Sequence, residues 1–586
     1  MKTTTITGMP GIKPEILGAL SGLLLFLSFQ PFEYYLLAFV AFVPMFLVVF
    51  SGSTSSVIRA SIGFTISFFF MHLWWLRVFH PFALPALILY LLVIYTISFI
   101  LLKKCTAVFP SLCIFLIPLG MTSFEYIRTL GYLGFPYGII SYSQYRFLPF
   151  IQSVDITGHL GTSFLLFLCN SVIAHYLACY RFRKIPLINS RKGVFVNRFT
   201  VLGIVFALNL LYGSAKLDYI KIPPHISWFF TSFMPVDSAP RSEKELQPVT
   251  AALIQPWFDY NIPWNHQNRM LLYSKLTELT ARAGLKNPDL IIWPETAIMT
   301  HYEHFLSRPY APYANSYAAH FYRFFKTFFT KYPDTQILSG AQGIGFSNYP
   351  KVNFTAQKEN VKSMKDAKTK GFESSAEKVL YYNSAILLCG ADCIQDTYSK
   401  IMLVPFAEWF PYQKWFPRIA RLLESAHASQ FSQGQKLTVF NLRGFLFSVL
   451  ICYEDCFAEI CRRQTIQGSR CLIVLTNDAW SYSAVSEITH LAFSIFRAIE
   501  NRRPVLRGTN AGVTAHVKKN GVIDSQLPLF TEDILYTEIQ PSGSATLFTR
   551  YGERWILYGL FIYLIFASWA GVTLLLHHFK FDEYAK

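Results

Sequence analysis

The sequence predicts a polytopic α-helical membrane protein with an inserted α/β domain. Three observations point there. Hydrophobic residues fill 52% of the 586 positions and charged residues only 15%, too few charges for an ordinary soluble chain. The apolar residues gather into about eight stretches near the roughly 20 residues that a helix needs to cross a bilayer. Ahead of the last stretch, short apolar runs alternate with amphipathic segments, the pattern of an α/β layer.

The expected spans lie near 14–31, 35–51, 57–76, 84–102, 106–126, 160–179, 198–214 and 554–576. No small-residue cleavage site follows the first, and more spans come at once, so it reads as a retained helix. Four regions result: a seven-span bundle over 1–215, an aromatic and proline-containing interfacial connector over 216–246, an α/β domain over 247–545, and an eighth span with a tail over 546–586. In the α/β region, 249–254, 290–293, 336–339, 379–388, 445–451 and 471–475 read as strands, and 265–284, 454–467 and 486–501 as helices. The stretch 356–378 is rich in Lys, Glu, Ser and Asn and reads as an exposed insertion.

The net charge of +17 is distributed for a membrane and not for nucleic acid. Arg59, Lys103, Lys104, Arg181, Arg183, Lys184, Arg191, Lys192 and Arg198 all fall on one side if the amino terminus is cytoplasmic, as the positive-inside rule expects; Arg77 and Arg128 fall on the other. The α/β domain then faces outward. Of the ten cysteines, Cys389, Cys393, Cys452, Cys456, Cys461 and Cys471 lie in that domain. An oxidising compartment permits disulfides, but sequence leaves their connectivity open. Cys452, Cys456 and Cys461 lack the paired spacing of a zinc site, so no metal is expected.

Three polar residues each follow an apolar run in that domain: Glu295 after 290–293, Lys400 a little downstream of 385–388, and Cys452 after 445–451. Loops at the ends of such strands point to one side, so distant residues can meet there. A carboxylate, an ammonium and a thiol that converge form an acyl-transfer site, with base, oxyanion donor and nucleophile. Each also has a plainer reading. Cys452 could be a buried structural thiol, Glu295 a helix-start carboxylate, and Lys400 a snorkelling cation; in the functional reading Glu408, eight residues on, is a second carboxylate to orient the lysine. Asn477 and Asp478 read as a turn ahead of Trp480, and Arg497, Glu500, Arg503 and Arg507 as structural ion pairs. The aromatic, proline-bracketed stretch 409–417 reads as a loop that touches lipid.

Taken together, these residues resemble the carbon–nitrogen hydrolase (nitrilase) superfamily. Trp293-Pro294-Glu295-Thr296-Ala297, Leu403-Val404-Pro405-Phe406-Ala407-Glu408, Ile451-Cys452-Tyr453-Glu454, Thr476-Asn477-Asp478-Ala479-Trp480 and Thr509-Asn510-Ala511-Gly512 are similar to its apolipoprotein N-acyltransferase family. So are Glu125-Tyr126-Ile127-Arg128, Gly134-Phe135-Pro136-Tyr137 and Tyr142-Ser143-Gln144 in the membrane half. The resemblance implies a cofactor-free, eight-span enzyme of the bacterial inner membrane whose periplasmic catalytic domain is a nitrilase-like αββα sandwich. It would take an acyl chain from a phospholipid donor and place it on a diacylated apolipoprotein acceptor, as a monomer. Carried over by motif, Glu295 is the base, Lys400 the oxyanion donor and Cys452 the nucleophile. Glu408 and Glu454 support them, and Tyr453, Trp264 and Trp480 lie near the substrates. Ala407 stands where glycine is usual, and Trp409-Phe410 where Tyr-Val is usual. Two rivals stay open: a membrane-tethered amidase or nitrilase that releases its acyl group to water, and a binding protein with an inactive hydrolase domain.

Overall fold

The computed structural model describes residues 12–78, 81–181, 192–220, 247–259, 262, 265–301, 317–346, 379–410, 412, 415, 417–418 and 431–584. The chain divides into two compact units. One comprises Met1–Ser238, Ile488–Glu500 and Ala545–Lys586, the other Ala239–Glu487 and Asn501–Ser544.

The first unit is helical: α1 (Pro14–Leu27), α2 (Val43–Ser51), α3 (Thr54–Thr65), α4 (Ala83–Val108), α5 (Cys113–Ile127), α6 (His159–Tyr176), α7 (Lys192–Lys216) and the final helix Arg554–Tyr584. Among the described residues, four segments are long and apolar enough to cross a membrane: Ala83–Val108, His159–Cys179, Arg198–Lys216 and Arg554–Leu576. The other four expected spans are shorter apolar helices, Pro14–Leu27, Tyr35–Ser51, Thr54–Phe70 and Cys113–Ile127. Two of them are interrupted for local reasons. Pro44 opens α2, so 35–51 breaks into a 3₁₀ turn at Tyr35–Phe39 and the helix proper. α3 runs into a π turn at Ile66–Phe70, a common way for a helix to absorb an extra residue.

Small residues let α1 and α3 approach backbone to backbone. A Cβ on Gly18 would lie 1.8 Å from the Ala60 carbonyl oxygen, and one on Gly63 would lie 2.2 Å from that of Glu15. The loop after α5 is tied back by its own motif residues: Glu125 accepts the Ile140 N–H at 3.0 Å and Arg128 donates to the Tyr137 carbonyl at 3.0 Å. Arg497 and Glu500 form a buried ion pair at 2.7 Å, the structural role expected of them.

The second unit holds two sheets. The first contains β1 (Val249–Gln255), β2 (Leu290–Ile292), β3 (Ile298–His301), β4 (Gln336–Phe346), β5 (Val379–Gly390), β6 (Cys393–Ser399) and, at its far edge, Asp533–Ile539. The second runs from β7 (Val439–Leu442) through β8 (Phe445–Ile451), β9 (Leu472–Thr476), β10 (Val505–Thr509) and β11 (Ala515–Val517) to β12 (Ile523–Gln526). The strand at Asp533–Ile539 is β13. β1, β2 and β4 are mutually parallel, as are β8, β9 and β10. Their carboxyl ends therefore gather their loops together, the usual place for a site in such layers.

Helices α8 (His266–Gly284) and α9 (Tyr317–Lys331) cover the first sheet. Phe321, Phe325 and Phe328 of α9 pack with Leu276 of α8 and with Ile291 and Trp293 in one buried cluster. Asn265 caps α8 by accepting the Asn268 N–H at 2.9 Å. Trp293 donates its indole N–H to Thr280 at 2.9 Å, which satisfies the one polar atom of a fully buried ring. The strand expected at 336–339 runs on to Phe346, because β5 pairs with it along its whole length. The helix expected over 454–467 is two pieces, a 3₁₀ turn Cys452–Cys456 and α10 (Ala458–Ile466), separated by the extended Phe457. A disulfide between Cys389 and Cys393 closes the β5–β6 hairpin. The insertion 356–378 and residues 221–246 of the connector lie outside the described residues.

Candidate active site

Five chain segments of the second unit supply the site. Glu295 follows β2, Asn383 lies in β5, Lys400 follows β6, Cys452 follows β8, and Asn477 and Asp478 follow β9. The Lys400 N–H bonds the Asn383 carbonyl at 2.8 Å, so the ladder between β5 and β6 continues one residue beyond the strand and fixes where the lysine starts. Cys452 has φ 51°, a left-handed conformation that costs a non-glycine residue about 1–3 kcal/mol and sharply turns the chain out of β8.

The side chains converge on Lys400. Its buried ammonium lies 2.8 Å from Glu408 Oε1 and 3.6 Å from Glu295 Oε1. Asn383 Nδ2 bridges the two carboxylates, donating to Glu295 at 2.8 Å and to Glu408 at 3.2 Å. The other Glu295 oxygen accepts the Asn477 N–H at 3.0 Å. The other Glu408 oxygen accepts the Val404 N–H at 2.8 Å, which anchors the loop Val404–Glu408 around its own carboxylate. Lys400 is thus held by Glu408.

Burial pushes the Glu295 carboxyl up; Lys400 pulls it down, Glu408 pushes it up again, and the net direction is upward. Burial alone would lower Lys400, but Glu408, Glu295 and Cys452 outweigh it and hold the ammonium above the usual lysine range. Burial drives the Cys452 thiol well above its ordinary value, with Glu295 adding to the rise and Lys400 opposing it. The thiol thus lies beside a carboxylate and an ammonium whose charges act on it in opposite senses.

A second layer fixes the turn at Cys452. Glu454 is fully buried and accepts four bonds: from the Tyr398 hydroxyl at 2.7 Å, from Ile401 and Met402 N–H groups at 2.7 and 3.1 Å, and from the Ile451 N–H at 2.8 Å. One carboxylate thereby ties the residue before Cys452 to the residues on both sides of Lys400. Arg507, from β10, is buried between Asp455 at 3.2 Å and Asp478 at 2.6 Å.

Glu295, Lys400, Cys452, Glu408 and Glu454 therefore lie together in one place. Tyr453 is buried, its ring edge-on to Phe457 at 5.0 Å. Trp480 sits in a single 3₁₀ turn, Ala479–Ser481, after β9. Trp264 lies outside the described residues. Trp415 is 81% exposed, and Phe406 packs on Phe410 at 5.7 Å in the loop that carries Glu408. Sequence reasoning missed Asn383 and the hydroxyl of Tyr398. The signal for Asn383 was a buried amide in the middle of an apolar strand, which must find partners.

Residues 250–547 match the carbon–nitrogen hydrolase family, and residues 21–172 match the apolipoprotein N-acyltransferase N-terminal domain. The chain is 29% identical over 540 residues to apolipoprotein N-acyltransferase 1 of Treponema denticola, covering 90% of each chain. It is 27% identical to apolipoprotein N-acyltransferase of Geobacter metallireducens, covering 92% of this chain and 91% of that one. With the Borreliella burgdorferi enzyme of the same name it shares 26% identity over 94% of both chains. The chain belongs to the carbon–nitrogen hydrolase family, in its membrane-bound apolipoprotein N-acyltransferase branch.

Proposed function

We propose that this protein moves an acyl chain from a phospholipid, through a thioester on Cys452, to the α-amino group of the diacylglyceryl-cysteine that begins an apolipoprotein. The observation that carries the reading is the Lys400 ammonium held between Glu408 and Glu295, beside a strained turn that presents a thiol.

In the first half-reaction Glu295 takes the Cys452 proton as the sulfur attacks the ester carbonyl of the phospholipid. The oxyanion that forms is stabilised by the Lys400 ammonium, which Glu408 keeps charged. Collapse breaks the ester C–O bond; the lysophospholipid leaves with the proton from Glu295, and a thioester remains. In the second half-reaction Glu295 takes a proton from the acceptor amine as nitrogen attacks the thioester. The C–S bond breaks, the amide forms, and sulfur regains its proton. A base of raised pKa suits both directions of transfer, since it must give back what it takes.

The same reading places the enzyme in the bacterial inner membrane as a monomer, with the domain at 247–545 on the periplasmic side and both termini inside. The basic loops support that orientation. So does the Cys389–Cys393 disulfide, because such bonds persist outside the reducing cytoplasm. Trp480, Trp264, Tyr453 and the aromatic stretch around Trp415 border the lipid chains and exclude water from the thioester.

Mass spectrometry of a lipoprotein amino terminus from cells with and without the protein tests the function. A third acyl chain, on nitrogen, is expected only with it; an unchanged diacyl terminus in both overturns the reading.

A further inference from the structure

We propose that Glu487 is a positioning residue of this site: as a neutral carboxylic acid it clamps both ends of the turn that carries Trp480. Glu487 lies in the first turn of the helix α11 (Ala484–Asn501) and is fully buried. Its Oε1 accepts the Ser481 hydroxyl at 2.8 Å. Its Oε2 has no hydrogen-bond donor among the described residues, and the Asp478 carboxyl lies against it. A Cβ on Gly512 would meet both at once, Glu487 Oε2 at 2.4 Å and Asp478 Oδ2 at 3.0 Å, so only glycine leaves room for this pair.

Two buried carboxyl groups in such contact attract each other only with a proton between them. The surroundings decide which group owns it. Asp478 already receives Arg507 at 2.6 Å on Oδ2 and the Thr476 hydroxyl at 2.9 Å on Oδ1, which favours its ionised form. The cation of Arg507 is also shared with Asp455 at 3.2 Å, so it has no charge left to balance a third carboxylate. An ionised Glu487 would be an unpaired buried charge. The proton belongs to Glu487, whose O–H donates to Asp478. Burial and the Asp478 charge both push in that direction.

The consequence is geometric. Asp478 precedes the turn Ala479–Ser481 and Ser481 ends it, so a single side chain grips the turn on both sides of Trp480. Asp478 also follows Asn477, whose N–H holds Glu295 at 3.0 Å. The clamp therefore sets the register of the base and of the aromatic that borders the substrates. This inference rests on the reading of Glu295 and Cys452 as reacting groups.

Infrared difference spectra of the full chain in detergent, wild type minus Glu487→Gln, test it at neutral pH. A carboxylic-acid carbonyl band is expected in the difference; its absence overturns the proposal. The glutamine amide can still donate to Asp478 and accept from Ser481. Glu487→Gln should therefore acylate Cys452 within about threefold of wild type, whereas Glu487→Ala should fall by about tenfold or more. Equal losses in the two variants, or none in Glu487→Ala, overturn the clamp. If Glu487→Ala fails to fold, the band and the glutamine rate still decide. The band does not depend on which acyl reaction the enzyme runs, so failure of the clamp and failure of the transferase reading are separate results.

Discussion

Tyr398 and Glu454 join the two sheets of the catalytic domain through one 2.7 Å hydrogen bond. Tyr398 is the penultimate residue of β6, which leads to Lys400, and Glu454 belongs to the turn that begins with Cys452. The bond therefore sets the distance between the ammonium and the thiol, which sit on different sheets. Tyr398→Phe leaves one lone pair of a buried carboxylate unfilled, at about 1–3 kcal/mol. The expected result is a lowered unfolding midpoint together with slower acylation of Cys452. Denaturant unfolding and single-turnover acylation, measured on the same variant, check it; loss of stability with a wild-type rate would detach this bond from the site.

The acid limb of activity should report Glu295. Its carboxyl titrates above the ordinary range because burial disfavours its charge, while Lys400 and the Asn383 amide pull the other way. Only the ionised form can accept the thiol proton, so activity is lost as pH falls through this raised value. Removing a group that lowers the pKa must move the limb to higher pH. Asn383→Leu and Lys400→Met should both do so, and the pH profile of kcat/KM measures it. Glu408 acts in the opposite sense on Glu295, so Glu408→Gln should move the limb down even as it loosens Lys400. A shift of the limb to lower pH in Asn383→Leu would remove Glu295 from the role of base.

Losing the base itself should cost about 10²–10⁴-fold, and losing the oxyanion donor about 10²–10³-fold. Glu295→Gln and Lys400→Met are close in size to the originals and should keep the fold. Acylation of Cys452, followed as an acyl mass on its peptide, is expected to slow by these factors. The mass should disappear with hydroxylamine and in Cys452→Ala. Near-normal turnover in either of the first two variants would exclude that residue, and an acyl mass on another cysteine would exclude Cys452.

The legible part of this site was the part that ends strands. Glu295 and Cys452 each close an apolar run that marked them before any contact was known; Lys400 closes β6, a strand of mixed polarity, and the apolar run that pointed to it, 385–388, lies upstream in β5. Asn383 was not legible that way, because it lies inside β5 where such a run marks core. Nor was the break at Phe457. The pattern of 454–467 is continuous, and only the four donors gathered by Glu454 pull the first turn away from the helix. Helix α9 escaped notice because its run of phenylalanines resembles any buried segment until Trp293 and the first sheet are in place beneath it. In the bundle, hydropathy located the apolar stretches but not the breaks within them, since the proline that opens α2 and the π turn after α3 interrupt the helix without making the stretch polar.

The orientation of the domain is open to direct labelling. Lys519 is exposed in the catalytic domain, and Ser111 is exposed between α4 and α5, on the side assigned to the cytoplasm. In a background with the other thiols replaced, a membrane-impermeant thiol reagent should label Lys519→Cys in intact cells and Ser111→Cys only after lysis. The reverse pattern would overturn the topology, and with it a lipoprotein acceptor outside the cytoplasm.

Transfer must also be told apart from hydrolysis, which the same three side chains could perform. The distinction lies in what reaches the thioester. Water is small and abundant, so a transferase has to keep it from Cys452 while one lipid leaves and a lipidated peptide arrives. The exposed rings of Trp415 and Phe406, the latter packed on Phe410 in the loop that holds Glu408, are the residues on which the transferase reading relies for this shielding. Ping-pong kinetics are expected, with lysophospholipid released before the acceptor is required. A diacylglyceryl peptide with a free amino terminus should take the acyl chain, and an amino-acetylated copy should not, because the attacking nitrogen is then an amide. Trp415→Ser should slow the exchange of lipids while leaving the reactivity of Cys452 toward a small thiol reagent unchanged, since the substitution lies on the surface. If the isolated acyl-enzyme releases free fatty acid as fast with the acceptor peptide as without it, and no triacylated peptide forms, the thioester is going to water and the chain is a membrane-tethered hydrolase.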